Sequence, residues 1–111
     1  MNTNQKLGEF LSVATSPFHA VKHMANHFVA AGFELLREDQ IWSLKPGGRY
    51  YLTRNGSSII AFVYGKQAGP EQGVRMAGAH TDSPCLKVKP QPEMQNRGYF
   101  QLGVEVYGGV L

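Results

Sequence analysis

His80 and Asp82 are the residues of this chain whose types and spacing best suit chemistry. They stand in the stretch V-R-M-A-G-A-H-T-D-S-P-C-L-K-V-K-P, residues 74–90. Neutral imidazole is the commonest nitrogen ligand of zinc, and a ligating histidine usually donates its other N–H to a carboxylate. The apolar run predicts a central strand over residues 74–80, whose carboxyl end would present both side chains on one side. The pair therefore suits a metal ligand and its orienting partner, although a structural histidine satisfied by a nearby aspartate fits the same spacing.

A second group of chemistry-bearing residues is the set of three histidines at intervals of four, His19, His23 and His27. On a helix this spacing stacks side chains on one face, where pairs of histidines can bind a metal. No Asp or Glu lies among them, and the H-E-x-x-H pattern of zinc peptidases is absent. For His23 and His27 we therefore favour a solvated polar face over a metal site, and for His19, beside the helix cap and Pro17, both interpretations stay open.

Composition narrows the class of protein. The chain has 111 residues, 42% hydrophobic and 17% charged, which is typical of one globular domain. Its single cysteine excludes an intrachain disulfide and a thiolate metal cluster. The net charge of +3 is spread over scattered Lys and Arg residues, so we predict no nucleic-acid partner. We also predict no membrane partner and a cytoplasmic location, because neither a long apolar run nor a signal-peptide pattern is visible.

Several segments have the periodicity of regular structure. A short amphipathic helix is predicted over residues 5–14, and a second helix from Pro17 to Gly32, capped by Ser16. Asn55-Gly56 predicts a β-hairpin. Its second arm, residues 59–64, is almost continuously apolar, which predicts an interior strand covered on both faces.

Further strands are predicted around residues 86–88 and over 99–107, separated by a connection at 91–98 that is rich in turn-forming residues. The fold class is therefore α/β: N-terminal helices plus a mixed β-sheet with a β-hairpin. The chain ends on Gly-Gly-Val-Leu without a polar tail, so we expect it to be a piece of a longer protein.

Three motifs together resemble one family. The string A-G-A-H-T-D-S-P-C-L-K-V-K-P, with S-P-F-H before it and G-V-E-V-Y-G-G after it, closely resembles the N-terminal region of M18 metalloaminopeptidases, the aspartyl aminopeptidases. The resemblance implies an incomplete portion of a zinc-exopeptidase α/β catalytic domain. It implies that residues 1–89 belong to the catalytic domain and that residues 90–111 begin an inserted dimerisation domain.

The same resemblance implies a function and its parts. The family's members are homo-oligomeric, dinuclear zinc enzymes, for which Mn²⁺ or Co²⁺ is an alternative, and they remove N-terminal Asp or Glu from peptides. His80 matches a zinc ligand, and Asp82 matches the catalytic carboxylate that orients the metal site. Glu105 lies in a matched motif and is interpreted as structural.

The remaining ligands and the glutamate base of the family belong to segments beyond Leu111. We therefore expect this chain alone to be inactive. The alternative is a non-catalytic module, derived from an aminopeptidase, that associates with itself or with other proteins.

Overall fold

The structure, a computed structural model, describes residues 2–67 and 73–109. Two compact units, Met1–Thr81 and Asp82–Leu111, are described separately. The first unit contains α1 (Thr3–Val13), α2 (Pro17–Ala30), β1 (Glu34–Leu35), β2 (Arg49–Arg54) and β3 (Ser58–Val63). The second contains β4 (Cys85–Asn96) and β5 (Tyr99–Tyr107). In the described part of the chain, no helix is both long and apolar enough to span a membrane.

Both predicted helices are confirmed, and their ends follow from local chemistry. The side chain of Asn2 accepts a hydrogen bond from the backbone N–H of Gln5, whose own side chain accepts from Asn2, so α1 begins with a capping box. At the start of α2 the side chain of Ser16 accepts a hydrogen bond from the backbone N–H of His19, and Pro17 occupies the first turn, where a missing N–H costs nothing. The chain leaves α2 through Gly32, which has a φ of +78°, a conformation that favours glycine.

The three strands of the first unit form a mixed sheet in the order β1-β2-β3. β1 is parallel to β2, and β2 is antiparallel to β3. The predicted hairpin is confirmed: Asn55 and Gly56 both have positive φ, 54° and 64°, as a type I′ turn requires. The N–H of Ser57 donates to the carbonyl of Arg54 and closes the turn. The predicted α/β class is therefore confirmed.

The core of the first unit lies between α2 and β2. Its buried apolar residues are Ala20, Val21, Tyr50, Tyr51 and Leu52. Three consecutive buried residues in β2 point alternately to the two faces of the sheet, so both faces of this strand are covered. Tyr51 packs against Phe28 of α2, whereas Tyr50 packs against Phe62 of β3. The hydroxyl of Tyr50 also accepts a hydrogen bond from the backbone N–H of Lys45. β2 is thus the central strand.

The prediction that the second hairpin arm is an interior strand is wrong for the described part of the chain. β3 stands at the edge of the three-stranded sheet, and the side chains of Ile60 and Val63 are each 61% exposed. An apolar run indicates a strand, but the neighbours that would cover both faces of it are decided by the whole fold. Here β2 takes the central position.

The second unit is a ribbon of two antiparallel strands, β4 and β5. The predicted connection at residues 91–98 is wrong, because β4 continues to Asn96 and only Arg97 and Gly98 form the turn. Both turn residues have positive φ, 51° and 80°. A shift of register between Val88 and Glu93 accommodates the proline-containing stretch as a bulge. β5 coincides with the predicted strand at 99–107.

Candidate metal centre

His80 lies in the first unit, at the end of an extended segment. Its side chain is exposed, and residues 73–80 have no strand assignment in the described part of the chain. The predicted central strand at 74–80 is therefore wrong within the described residues, because an apolar composition alone does not make a segment pair with a second strand. The next residue fixes the backbone: the hydroxyl of Thr81 donates to the carbonyl of Ser57 in the hairpin turn, at 2.8 Å. His80 thus directly precedes a residue that is hydrogen-bonded to the hairpin.

Asp82 lies at the start of the second unit and is held by a tyrosine. The hydroxyl of Tyr107 donates to Oδ2 of Asp82 at 2.6 Å. This contact follows from the strand register, since Tyr107 pairs with Cys85, three residues after Asp82. The segment between Asp82 and Cys85 packs against the end of β5: a Cβ on Gly108 would lie 3.4 Å from Pro84. The carboxylate therefore has a defined orientation.

The electrostatics of this contact favour a protonated phenol beside a charged carboxylate. The hydrogen bond to Asp82 raises the pKa of Tyr107, and the negative charge of the same carboxylate adds to the effect. The ammonium of Lys87 lies 5.4 Å from the centroid of the Tyr107 ring, within the range of a cation–π contact. Lys87 and Asp82 thus contact Tyr107 at its ring and its hydroxyl.

Neither Thr81 nor Tyr107 emerged from the sequence as a site residue. Tyr107 belongs to the motif G-V-E-V-Y-G-G, whose only charged residue is Glu105. Glu105 faces Lys87 across the ribbon. The signal that could have identified Tyr107 is its position two residues after Glu105, on the same face of the strand.

The three helical histidines do not add to this site. The hydroxyl of Ser16 lies 2.8 Å from Nδ1 of His19, at the start of α2. His23 and His27 line an open groove between α1 and α2, whose volume is about 800 Å³. Within residues 2–67 and 73–109, no three or more His, Cys, Asp and Glu side chains group closely enough to hold a metal ion.

The donor set fits part of a zinc site. An exposed imidazole at His80 is a suitable nitrogen ligand, and Asp82 supplies an oriented carboxylate. Catalytic zinc takes about three protein ligands and a water molecule. Of such a ligand set, His80 would supply one member. When bound, zinc would polarise a carbonyl and activate water, and His80 would hold it.

The fold defines an α/β protein, and His80 and Asp82 are its candidate metal-site residues. The sequence model of one family, described as aminopeptidase I zinc metalloprotease (M18), matches residues 10–111. The chain belongs to this family, peptidase family M18.

Relatives agree with that assignment. A protein of Pseudomonas syringae pv. syringae (strain B728a), named probable M18 family aminopeptidase 2, is 56% identical over 108 residues, which is 97% of this chain and 25% of that protein. The cryo-EM structure of the Ape4 and Nbr1 complex matches with a TM-score of 0.81 and 44% identity, over 91% of this chain and 20% of that one. The S. cerevisiae mApe1 dodecamer matches with a TM-score of 0.80 and 32% identity, over 96% and 25%. The chain spans about a quarter of the length of the curated relatives it matches.

Proposed function

We propose that this chain is the N-terminal portion of a zinc aminopeptidase that removes acidic residues from the N-terminus of peptides. The observation that carries the proposal is the family match over residues 10–111, which includes His80 and Asp82. In the complete polypeptide His80 binds one zinc ion, and Asp82 orients the site beside it. The preference for Asp and Glu rests on the resemblance to aspartyl aminopeptidases.

The test compares fluorogenic substrates on the complete polypeptide that carries this chain. We expect Asp- and Glu-aminoacyl substrates to be hydrolysed with a higher kcat/KM than Leu or Lys substrates, and a chelator to abolish turnover. His80→Ala should lower zinc affinity, whereas His27→Ala on α2 is the matched control and should not. A preference for neutral or basic substrates would contradict the proposed specificity. Turnover that survives chelation would contradict the proposed dependence on zinc.

The 111-residue chain alone is proposed to be inactive. The part of it that the structure describes brings together no three metal-ligating side chains, and a peptidase also needs a base that takes a proton from water. Purified chain mixed with Zn²⁺, Mn²⁺ or Co²⁺ and an Asp substrate should give no turnover. Turnover that withstands further purification and is lost in His80→Ala would contradict this proposal.

A second candidate function is self-association without catalysis. It is favoured by the ribbon of β4 and β5, whose apolar side chains are exposed, because an isolated two-stranded ribbon is marginally stable in water. Related structures include a dodecamer, which supports homo-oligomeric assembly as a property of the complete protein. Sedimentation velocity should show species larger than a monomer. A folded monomer across the accessible concentration range would contradict this candidate.

A further inference from the structure

The side chain at the end of β5 places a hydroxyl group against Asp82, one of the candidate metal-site residues. Tyr107 is the last residue of its strand and pairs with Cys85, the first residue of β4. The segment that precedes Cys85 contains Asp82, and the phenol donates to Oδ2 of that carboxylate at 2.6 Å. Hydrogen bonds from a hydroxyl to a carboxylate are among the strong ones at such a length. The contact thus joins residues that are 25 positions apart in the chain.

The tyrosine itself is held in place. Its backbone is fixed by the strand pair, and the ammonium of Lys87 lies over its ring. Immediately after it, Gly108 has a φ of +72° and lies against Pro84, so the chain that follows Tyr107 packs against the segment that carries Asp82. A donor with a fixed ring and a fixed backbone restricts the rotation of the carboxylate that it contacts.

We propose that Tyr107 is a positioning residue of the metal centre, acting through Asp82. The inference rests on the proposed function, in which Asp82 orients the site that contains His80. Removal of a group that hydrogen-bonds to a metal ligand commonly changes metal affinity or activity by about 10- to 100-fold. Tyr107 acts one step further out, through Asp82, so we expect a loss at the lower end of that range. A purely structural role, in which the hydrogen bond only fastens the end of the ribbon, would leave zinc affinity unchanged once folding is preserved.

The test uses the complete polypeptide that carries this chain. Tyr107→Phe removes the hydroxyl and keeps the ring, and Tyr99→Phe makes the same change at the opposite end of the ribbon, where Tyr99 pairs with Asn96. Zinc affinity is measured by competition with a fluorescent chelator, and kcat and KM are measured separately with an Asp substrate. We expect Tyr107→Phe to weaken zinc binding about 10-fold and to lower kcat more than KM rises, and Tyr99→Phe to change neither.

A double variant separates a positioning role from a structural one. If Tyr107 acts through Asp82, Tyr107→Phe should cause no further loss of zinc affinity in the Asp82→Asn background. Unchanged zinc affinity in Tyr107→Phe, or an equal loss in both backgrounds, would overturn the inference. His80→Ala separates a failure of the proposed function from a failure of the inference about Tyr107. If the zinc affinity of His80→Ala equals that of the unaltered protein, the proposed function is overturned, and the inference with it.

Discussion

Leu52 and Ile60 offer a direct measure of which hairpin strand is interior. They are register partners on β2 and β3, but Leu52 is 7% exposed and Ile60 is 61% exposed. Leu52→Ala removes a buried side chain from a small core and should lower the free energy of unfolding by about 2–5 kcal/mol. Ile60 has lost well under half of its surface to contact, so Ile60→Ala should lower it by only about 1 kcal/mol.

The assay is equilibrium urea unfolding of the 111-residue chain and its two variants, followed by circular dichroism. Each variant is measured at two protein concentrations about 20-fold apart, because a second copy that covered β3 would add stability that depends on concentration. Equal losses for both variants at both concentrations would refute the edge position of β3. Equal losses only at the higher concentration would show that another copy covers Ile60.

Three further predictions test local features of the two units. Gly48→Ala should lower the melting temperature in calorimetry, with a cost of about 1–3 kcal/mol, because its Cβ would lie 2.6 Å from the ring of Tyr50. Ser16→Ala should lower the free energy of unfolding, measured in urea, by about 1 kcal/mol through loss of the helix cap; an unchanged midpoint would contradict it. Asp82→Asn should lower the pKa of Tyr107 towards its usual value of 10.0, because the carboxylate is the main cause of the upward shift. In the unaltered chain, the stabilisation of the fold by the hydrogen bond from Tyr107 to Asp82 is therefore complete below about pH 10. It is lost as the pH rises through the raised pKa of Tyr107, which NMR titration of the ring carbons can follow.

The features that sequence predicted well are set by neighbouring residues. Ser16 and Pro17 begin a helix because they satisfy or remove the free N–H groups of its first turn. Gly32 ends it, and Asn55-Gly56 forms the hairpin, because these residues accept positive φ at little cost. None of these choices depends on a distant part of the chain.

The features that sequence predicted wrongly depend on partners. Residues 74–80 have the composition of a central strand, but the described structure assigns them no strand. Residues 91–96 have the composition of a connection, yet they pair with β5 through a bulge that tolerates their prolines. Hydrophobicity and turn propensity describe what a segment tolerates, whereas a strand also requires a second segment at the right distance and register.

The candidate site depends both on neighbouring residues and on partners that are distant in the chain. The structure assigns no strand to residues 74–80, so strand geometry does not explain the spacing of His80 and Asp82. The motif as a whole, rather than its periodicity, indicates the family that the sequence model matches. The alternation of apolar and polar residues in V-E-V-Y nevertheless indicates the strand face on which Tyr107 lies, and from which it contacts Asp82. On a strand, Tyr107 must share a face with Glu105 and oppose the valines, and the register places Cys85 and Lys87 on that same face. Once the pairing of β4 with β5 is known, it places the side chain of Tyr107 beside the segment that carries Asp82, which sequence spacing alone could not reveal.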